Sequence, residues 1–260
     1  MEKEQLKLAL IQATLQWENP KANLLSFEEM LQQVSQEADL IILPEMFSTG
    51  FTMTPQNLSS AEGKYALTWM QKQAAQYNAM ILGSLVWPLG EGQFANRLFA
   101  VTPSGEFQYY DKRHCFTLAG EDEVYQAGNQ HLILEWRGFK ICPLICYDLR
   151  FPVWSRNTFD YDLLVYVANW PAPRINAWDA LLKARAIENM AYCAGVNRVG
   201  EDENNHQYPG HSSLFNPLGK SLVYQEEKSG VLEAVIHKKE VVENRSKLRF
   251  LEDRDRFEIH

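Results

Sequence analysis

Three short apolar runs in this chain each end on a residue that can do chemistry. Asp39-Leu-Ile-Ile-Leu-Pro-Glu45 ends on a carboxylate, and Gly138-Phe-Lys-Ile-Cys-Pro-Leu-Ile-Cys146 on a thiol. The run over Asp162–Ala168 is followed by Asn169 and Trp170. Runs of this length and composition read as buried strands. A strand that hands a polar residue to its C-terminal end is the arrangement in which α/β sheets present their sites.

The rest of the chain keeps the same rhythm. Strands are expected at Leu6–Ile11, Asp39–Leu43 and Ala79–Val86, and at Asn96–Val101 paired with Phe107–Tyr110 around Pro103-Ser-Gly105. More follow at Phe139–Cys146, Asp162–Ala168, Tyr192–Arg198, Ser212–Asn216 and Val231–Ile236. Helical spacing runs through Leu24, Phe27, Leu31 and Val34, then over Glu62–Asn78 and Asn176–Met190, with a short helix expected at Pro152–Asp160. Strands and helices intermixed in this way give a layered α/β fold, here a single domain over residues 1–260. No linker, low-complexity tract or close repeat interrupts it.

Composition narrows the functional classes. With 260 residues, 46% of them hydrophobic, the chain can bury a large core. Its net charge of −8 and lack of a basic run argue against a nucleic-acid partner. The apolar runs are strand-length, too short to span a bilayer. The charged start Met1-Glu-Lys-Glu-Gln has no secretory apolar segment, which together with unpaired thiols points to the cytoplasm. Neither a CxxC pair, an HExxH helix nor a phosphate-binding glycine loop is present, so no cofactor or metal is expected.

Of the four cysteines, Cys142 and Cys193 fall inside strands and read as packing, whereas Cys146 sits at a strand end before a polar turn. Cys115 follows His114, but neighbours on an extended segment point to opposite faces, so that histidine is badly placed to take its proton. Lys112, in Tyr109-Tyr-Asp-Lys112, lies just beyond a further strand. A Glu45–Lys112–Cys146 set follows. Lys112 favours the thiolate by charge, Glu45 accepts the thiol proton, and Lys112 with the backbone N–H of Tyr147 holds the oxyanion formed on attack. Arg150 either reads a substrate carboxylate or, as favoured here, braces the nucleophile turn through Asp148 or Glu188. Arg174 is the preferred carboxylate contact. Asn169 and Trp170 reach the cleft rim, Phe47 and Trp170 form apolar walls, and Trp178 faces the core.

Leu43-Pro44-Glu45, Asp111-Lys112 and Cys146-Tyr-Asp-Leu-Arg150-Phe-Pro152 occur in that order. Tyr166-Val-Ala-Asn169-Trp170, Ala184-Arg-Ala-Ile-Glu188-Asn189 and Gly210-His-Ser212 follow them. The chain thereby resembles the nitrilase superfamily of carbon–nitrogen hydrolases from about Leu6 to Ile236. The resemblance implies a four-layer α-β-β-α sandwich and a homodimer packed helix face to helix face, with the tail from about residue 237 in its contacts. It implies a second glutamate in the 119–128 loop that positions substrate and lysine, and spacing back from Gly128 favours Glu121 over Glu123. It also implies a small-molecule substrate, the ω-amide of a short 2-oxo dicarboxylate such as 2-oxoglutaramate. The alternatives on the same scaffold are N-carbamoyl hydrolysis, nitrile hydrolysis, or binding without catalysis.

Overall fold

The computed structural model describes residues 3–259; Met1, Glu2 and His260, and with them the start of the charged N-terminal segment, lie outside the described residues. In the first half run strand β1 (Gln5–Gln12), helix α1 (Pro20–Leu31), β2 (Leu40–Ile42), α2 (Glu62–Tyr77), β3 (Met80–Gly90), β4 (Gln93–Val101), β5 (Phe107–Asp111) and α3 (Glu121–Val124). The second half adds β6 (Leu134–Trp136), β7 (Phe139–Ile145), α4 (Pro152–Ser155), β8 (Leu163–Ala168), α5 (Ile175–Asn189) and β9 (Tyr192–Asn197). It ends with β10 (Val199–Glu201), β11 (Gln207–Phe215), β12 (Ser221–Glu226), β13 (Gly230–His237) and α6 (Lys238–Leu248).

One sheet has the order β13-β1-β2-β3-β4-β5 and the other β10-β11-β9-β8-β7-β6, with β12 beyond it on β11. The central strands β1, β2 and β3 pair in parallel, as do β7, β8 and β9. The two-residue period of a strand sorts each run between layers. Leu6, Leu8 and Leu10 of β1 and Leu40 and Ile42 of β2 join the core shared with Ile145, Val165 and Val196 of the other sheet. Ala9, Ile11, Ile41 and Ile81 point the other way, into Leu24, Phe27 and Leu31 of α1 and Ala66, Met70 and Ala74 of α2. On the far side, Trp178, Leu182 and Ala186 of α5 cover the second sheet. Gly195 of β9 makes room for them: a Cβ there would sit 2.4 Å from Leu182 Cδ1 and 2.7 Å from Trp178 Cζ2. The layers are therefore helix, sheet, sheet, helix, as expected.

Local chemistry sets the ends. Asn19 caps α1, its Oδ1 accepting from Ala22 N–H at 3.2 Å, with Pro20 in the first turn. Only Pro152–Ser155 of the expected Pro152–Asp160 helix forms. The Asn157 side chain takes over there, donating to Tyr161 O at 3.0 Å and accepting from Tyr161 N–H at 3.0 Å. The tail beyond residue 237 begins with helix α6 and is irregular after Leu248. Helix α6 docks through buried Val241 and through Arg245, which donates to Met190 O at 2.9 Å. No helix among the described residues is long and apolar enough to cross a membrane.

Candidate active site

Glu45 follows β2, Lys112 follows β5, and Cys146 and Asn169 follow β7 and β8, so two sheets deliver side chains to one place. Lys112 Nζ donates to Glu45 Oε1 at 2.9 Å and to Glu121 Oε1 and Oε2 at 3.0 and 2.8 Å. Asn96, on β4, bridges the two carboxylates, 2.8 Å from Glu45 Oε1 and 3.1 Å from Glu121 Oε1. From the second sheet the Asn169 N–H reaches Glu45 Oε2 at 2.8 Å, and its Nδ2 reaches Glu45 O at 2.6 Å. Glu121 Oε2 also accepts from Phe116 N–H at 2.5 Å. Glu121, rather than Glu123, is thus the glutamate on the lysine. The lysine loop is clamped in turn by Gly128: its N–H donates to Lys112 O at 2.8 Å, and an added Cβ would lie 2.2 Å from Asp111 O.

Glu45, Lys112 and Glu121 are all buried. Burial works against the Lys112 ammonium, but the charges of Glu121 and Glu45 outweigh it and hold its pKa well above the ordinary value. Burial raises the Glu121 pKa, with Glu45 adding to the rise and Lys112 opposing it. At Cys146 the charge of Lys112, expected to favour the thiolate, does not prevail. Burial first, then the charge of Glu45, push the Cys146 pKa well up, and Lys112 offsets only part of this. The resting side chain is a thiol, so attack requires a base.

Cys146 opens a short 3-10 turn, Cys146–Arg150, with φ of +44°. A non-glycine residue in this region is strained and persists only where its neighbours hold it. Arg185 is one such neighbour, donating to Leu149 O at 2.6 Å.

A cavity of about 320 Å³ opens over Cys146, lined also by Tyr147, Arg150, Asn169, Trp170 and Arg174. Five of the predicted residues therefore meet there; Phe47 does not. Its N–H bonds to Ser84 O at 3.2 Å, and its ring packs back against Phe27 and Trp69, with centroids 5.4 and 5.8 Å away. Phe51 forms the wall instead, 5.2 Å from Lys112 Nζ. Arg150 does not brace the turn. Glu188 is paired with Arg185 at 2.8 Å, and the Arg150 guanidinium lies 5.0 Å over the Trp170 ring, facing the cavity. Trp178 is fully buried, as expected. The sequence reading missed Asn96, Phe51, Phe116 and the rim residues Asp202, His206 and Tyr208. Asn96 left no signal, since it stands beside Arg97 in β4 as one polar residue among others.

The sequence profile described as Carbon-nitrogen hydrolase matches residues 7–245. The chain belongs to the carbon-nitrogen hydrolase family. This carbon-nitrogen hydrolase is 46% identical over 255 residues to the Omega-amidase YafV of Escherichia coli (strain K12), covering 98% of each chain. It is 30% identical to the 2-oxoglutaramate amidase of Bacillus subtilis (strain 168), covering 95% of this chain and 96% of that one. The crystal structure of XC1258 from Xanthomonas campestris, a CN-hydrolase superfamily protein with an arsenic adduct in its active site, superposes with a TM-score of 0.95. The identity is 38%, over 99% of this chain and 100% of that one. As a member of this family the chain is a hydrolase of C–N bonds.

Proposed function

We propose that this hydrolase is an ω-amidase, cleaving the terminal amide of a short dicarboxylate such as 2-oxoglutaramate to the acid and ammonia. The observation that carries the reading is a pair of arginines. Arg150 and Arg174 line the same cavity as Cys146, and neither has a carboxylate partner among the described residues. Arg174 lies 4.9 Å over the Phe116 ring, which leaves its N–H edge for a carboxylate. The cavity, about 320 Å³, is at the small end for ligand sites, which suits a short substrate. The names borne by the two curated relatives agree with it.

In this mechanism Glu45 takes the Cys146 proton as sulfur attacks the amide carbon. The Lys112 ammonium and the Tyr147 N–H hold the oxyanion, and Glu121 holds the ammonium in place. Collapse breaks the C–N bond, and Glu45 passes its proton to the departing ammonia. A thioester remains on Cys146. Water, deprotonated by Glu45, attacks it, and the thiol is restored as the acid leaves. The Asn169 clasp keeps Glu45 aimed at both steps.

The test is a panel of 2-oxoglutaramate, succinamate, glutamine, a neutral aliphatic amide, an N-carbamoyl amino acid and a nitrile, scored by ammonia release. The first two should lead in kcat/KM, and Arg174→Ala should weaken them more than the neutral amide. A preference for the nitrile, the carbamoyl compound or neutral amides refutes the ω-amidase assignment; turnover of none refutes catalysis.

We also infer a homodimer through α5, α6 and the tail. Ile187, Leu218 and Val242 are each about half exposed, and Ile187 packs beside the Gly219 turn next to Leu218. Light scattering should give twice the chain mass, and Val242→Glu should reduce it. A cytoplasmic location fits the four free thiols and is tested by cell fractionation.

A further inference from the structure

Asp148 is fully buried two residues beyond Cys146, and it takes no part in the mechanism above. Its Oδ1 accepts from the His114 N–H at 3.0 Å and from His114 Nδ1 at 2.8 Å. Its Oδ2 accepts from the Ile145 N–H at 3.0 Å and the Tyr110 hydroxyl at 2.8 Å. Four donors on two oxygens use the capacity of an acceptor-only carboxylate. Burial and the Asp148 charge push the Tyr110 pKa well up, so the phenol stays a donor.

These donors come from two segments. Ile145 immediately precedes the strained Cys146, whereas Tyr110 and His114 stand on either side of Lys112. Among the described residues, the hydrogen bonds joining the 110–116 segment to the 145–151 segment all end on Asp148. Lys112 itself is held by Glu45 and Glu121, which belong to neither the cysteine turn nor β7. We infer that Asp148 is a positioning residue that registers the lysine loop against the nucleophile turn, with His114 as the connecting piece. The His114 ring cannot turn freely, since it stacks on Phe151 with centroids 3.7 Å apart and planes at 4°. Phe151 in turn meets the Tyr147 ring edge-on at 5.1 Å. The Asp148 tie thus sets where the ammonium stands relative to the carbon that sulfur attacks.

The inference rests on the Glu45–Lys112–Cys146 reading. His114→Phe keeps a ring on Phe151 and removes the Nδ1 donor. His114→Asn loses the stack and keeps a donor near the Nδ1 position. Misplacing catalytic groups by about 1 Å can cost on the order of 10²-fold. His114→Phe should therefore lower kcat about tenfold with KM within about twofold, and Asp148→Asn on the order of 10²-fold, while His114→Asn stays within about threefold of wild type. Carboxamidomethylation of Cys146 by iodoacetamide, which needs no turnover, should slow in the same order. Wild-type kcat in His114→Phe, equal losses in His114→Phe and His114→Asn, or losses confined to KM would overturn the inference. If Asp148→Asn does not fold, the two His114 variants decide alone. Failure of the catalytic reading looks different: it is an inactive wild type, or an active Cys146→Ala.

Discussion

Lys112→Met isolates the electrostatics of the buried site, because methionine fills the lysine stem's space and removes the charge. The wild-type ammonium makes three charge-assisted hydrogen bonds, to Glu45 Oε1 and both oxygens of Glu121. Removing one partner of a buried ion pair costs about 3–5 kcal/mol. The two carboxylates are not orphaned, since Asn96, Asn169 and Phe116 still donate to them. The lower end, about 3 kcal/mol at pH 8, is therefore expected. The pH dependence gives a sharper test. Burial already raises the Glu121 pKa, and loss of Lys112 removes the charge that opposes the rise. In the variant the folded state then binds a proton that the unfolded state has released. Stability must fall as pH rises from the unfolded carboxyl value of about 4.3 towards the folded value, by at most about 1.4 kcal/mol per pH unit for one proton. Urea unfolding of both proteins at pH 5.5 and 8, compared as a difference, cancels the other titrating groups. The deficit of Lys112→Met should shrink on acidification. A deficit that is constant, grows at low pH, or stays below about 0.5 kcal/mol at pH 8 refutes the reasoning.

Cys146→Ala should abolish ammonia release, whereas Cys115→Ala should leave most of it; the reverse pattern would move the nucleophile. Hydroxylamine added during turnover should divert the acyl group to a hydroxamate, and single-turnover mass spectrometry should find an adduct on Cys146. Absence of both would favour direct attack by water. Lys112→Arg should be severely slowed despite its charge, because a planar guanidinium cannot replace a compact ammonium among three acceptors. Because burial and Glu45 raise the Cys146 pKa, its alkylation rate in the free enzyme should still be climbing past pH 9, the ordinary thiol value. A plateau near pH 7 would mean a resting thiolate.

The strand ends that carry Glu45, Cys146 and Asn169 were legible because a strand buried on both faces needs a continuous apolar run. The polar residue that ends such a run then stands out. The remainder of the site was written in contacts made across the fold. Asn96 and Asp148 are ordinary polar letters until β4 and the cysteine turn bring distant donors and acceptors to them. Phe47 and Phe51 are the same residue type four positions apart. The turn after Glu45, with Met46 at φ +44°, decides which ring faces the helices and which the cavity. Arg150 was misassigned for a similar reason, since Arg185, one helix away, already satisfies Glu188. Helix α6 escaped because Lys238–Leu248 buries a single apolar residue, Val241, and so shows little periodicity.

Glu45 and Cys146 stand on different sheets, and the apolar layer from Leu8 and Leu10 to Ile145 and Val165 spaces those sheets. The hydrophobic core therefore serves as the ruler of the reaction. A change in its thickness moves base and thiol apart without touching either. Residues that never meet substrate should set the temperature at which turnover fades. That fading should come before the chain unfolds, because loosening two packed sheets takes less heat than separating them.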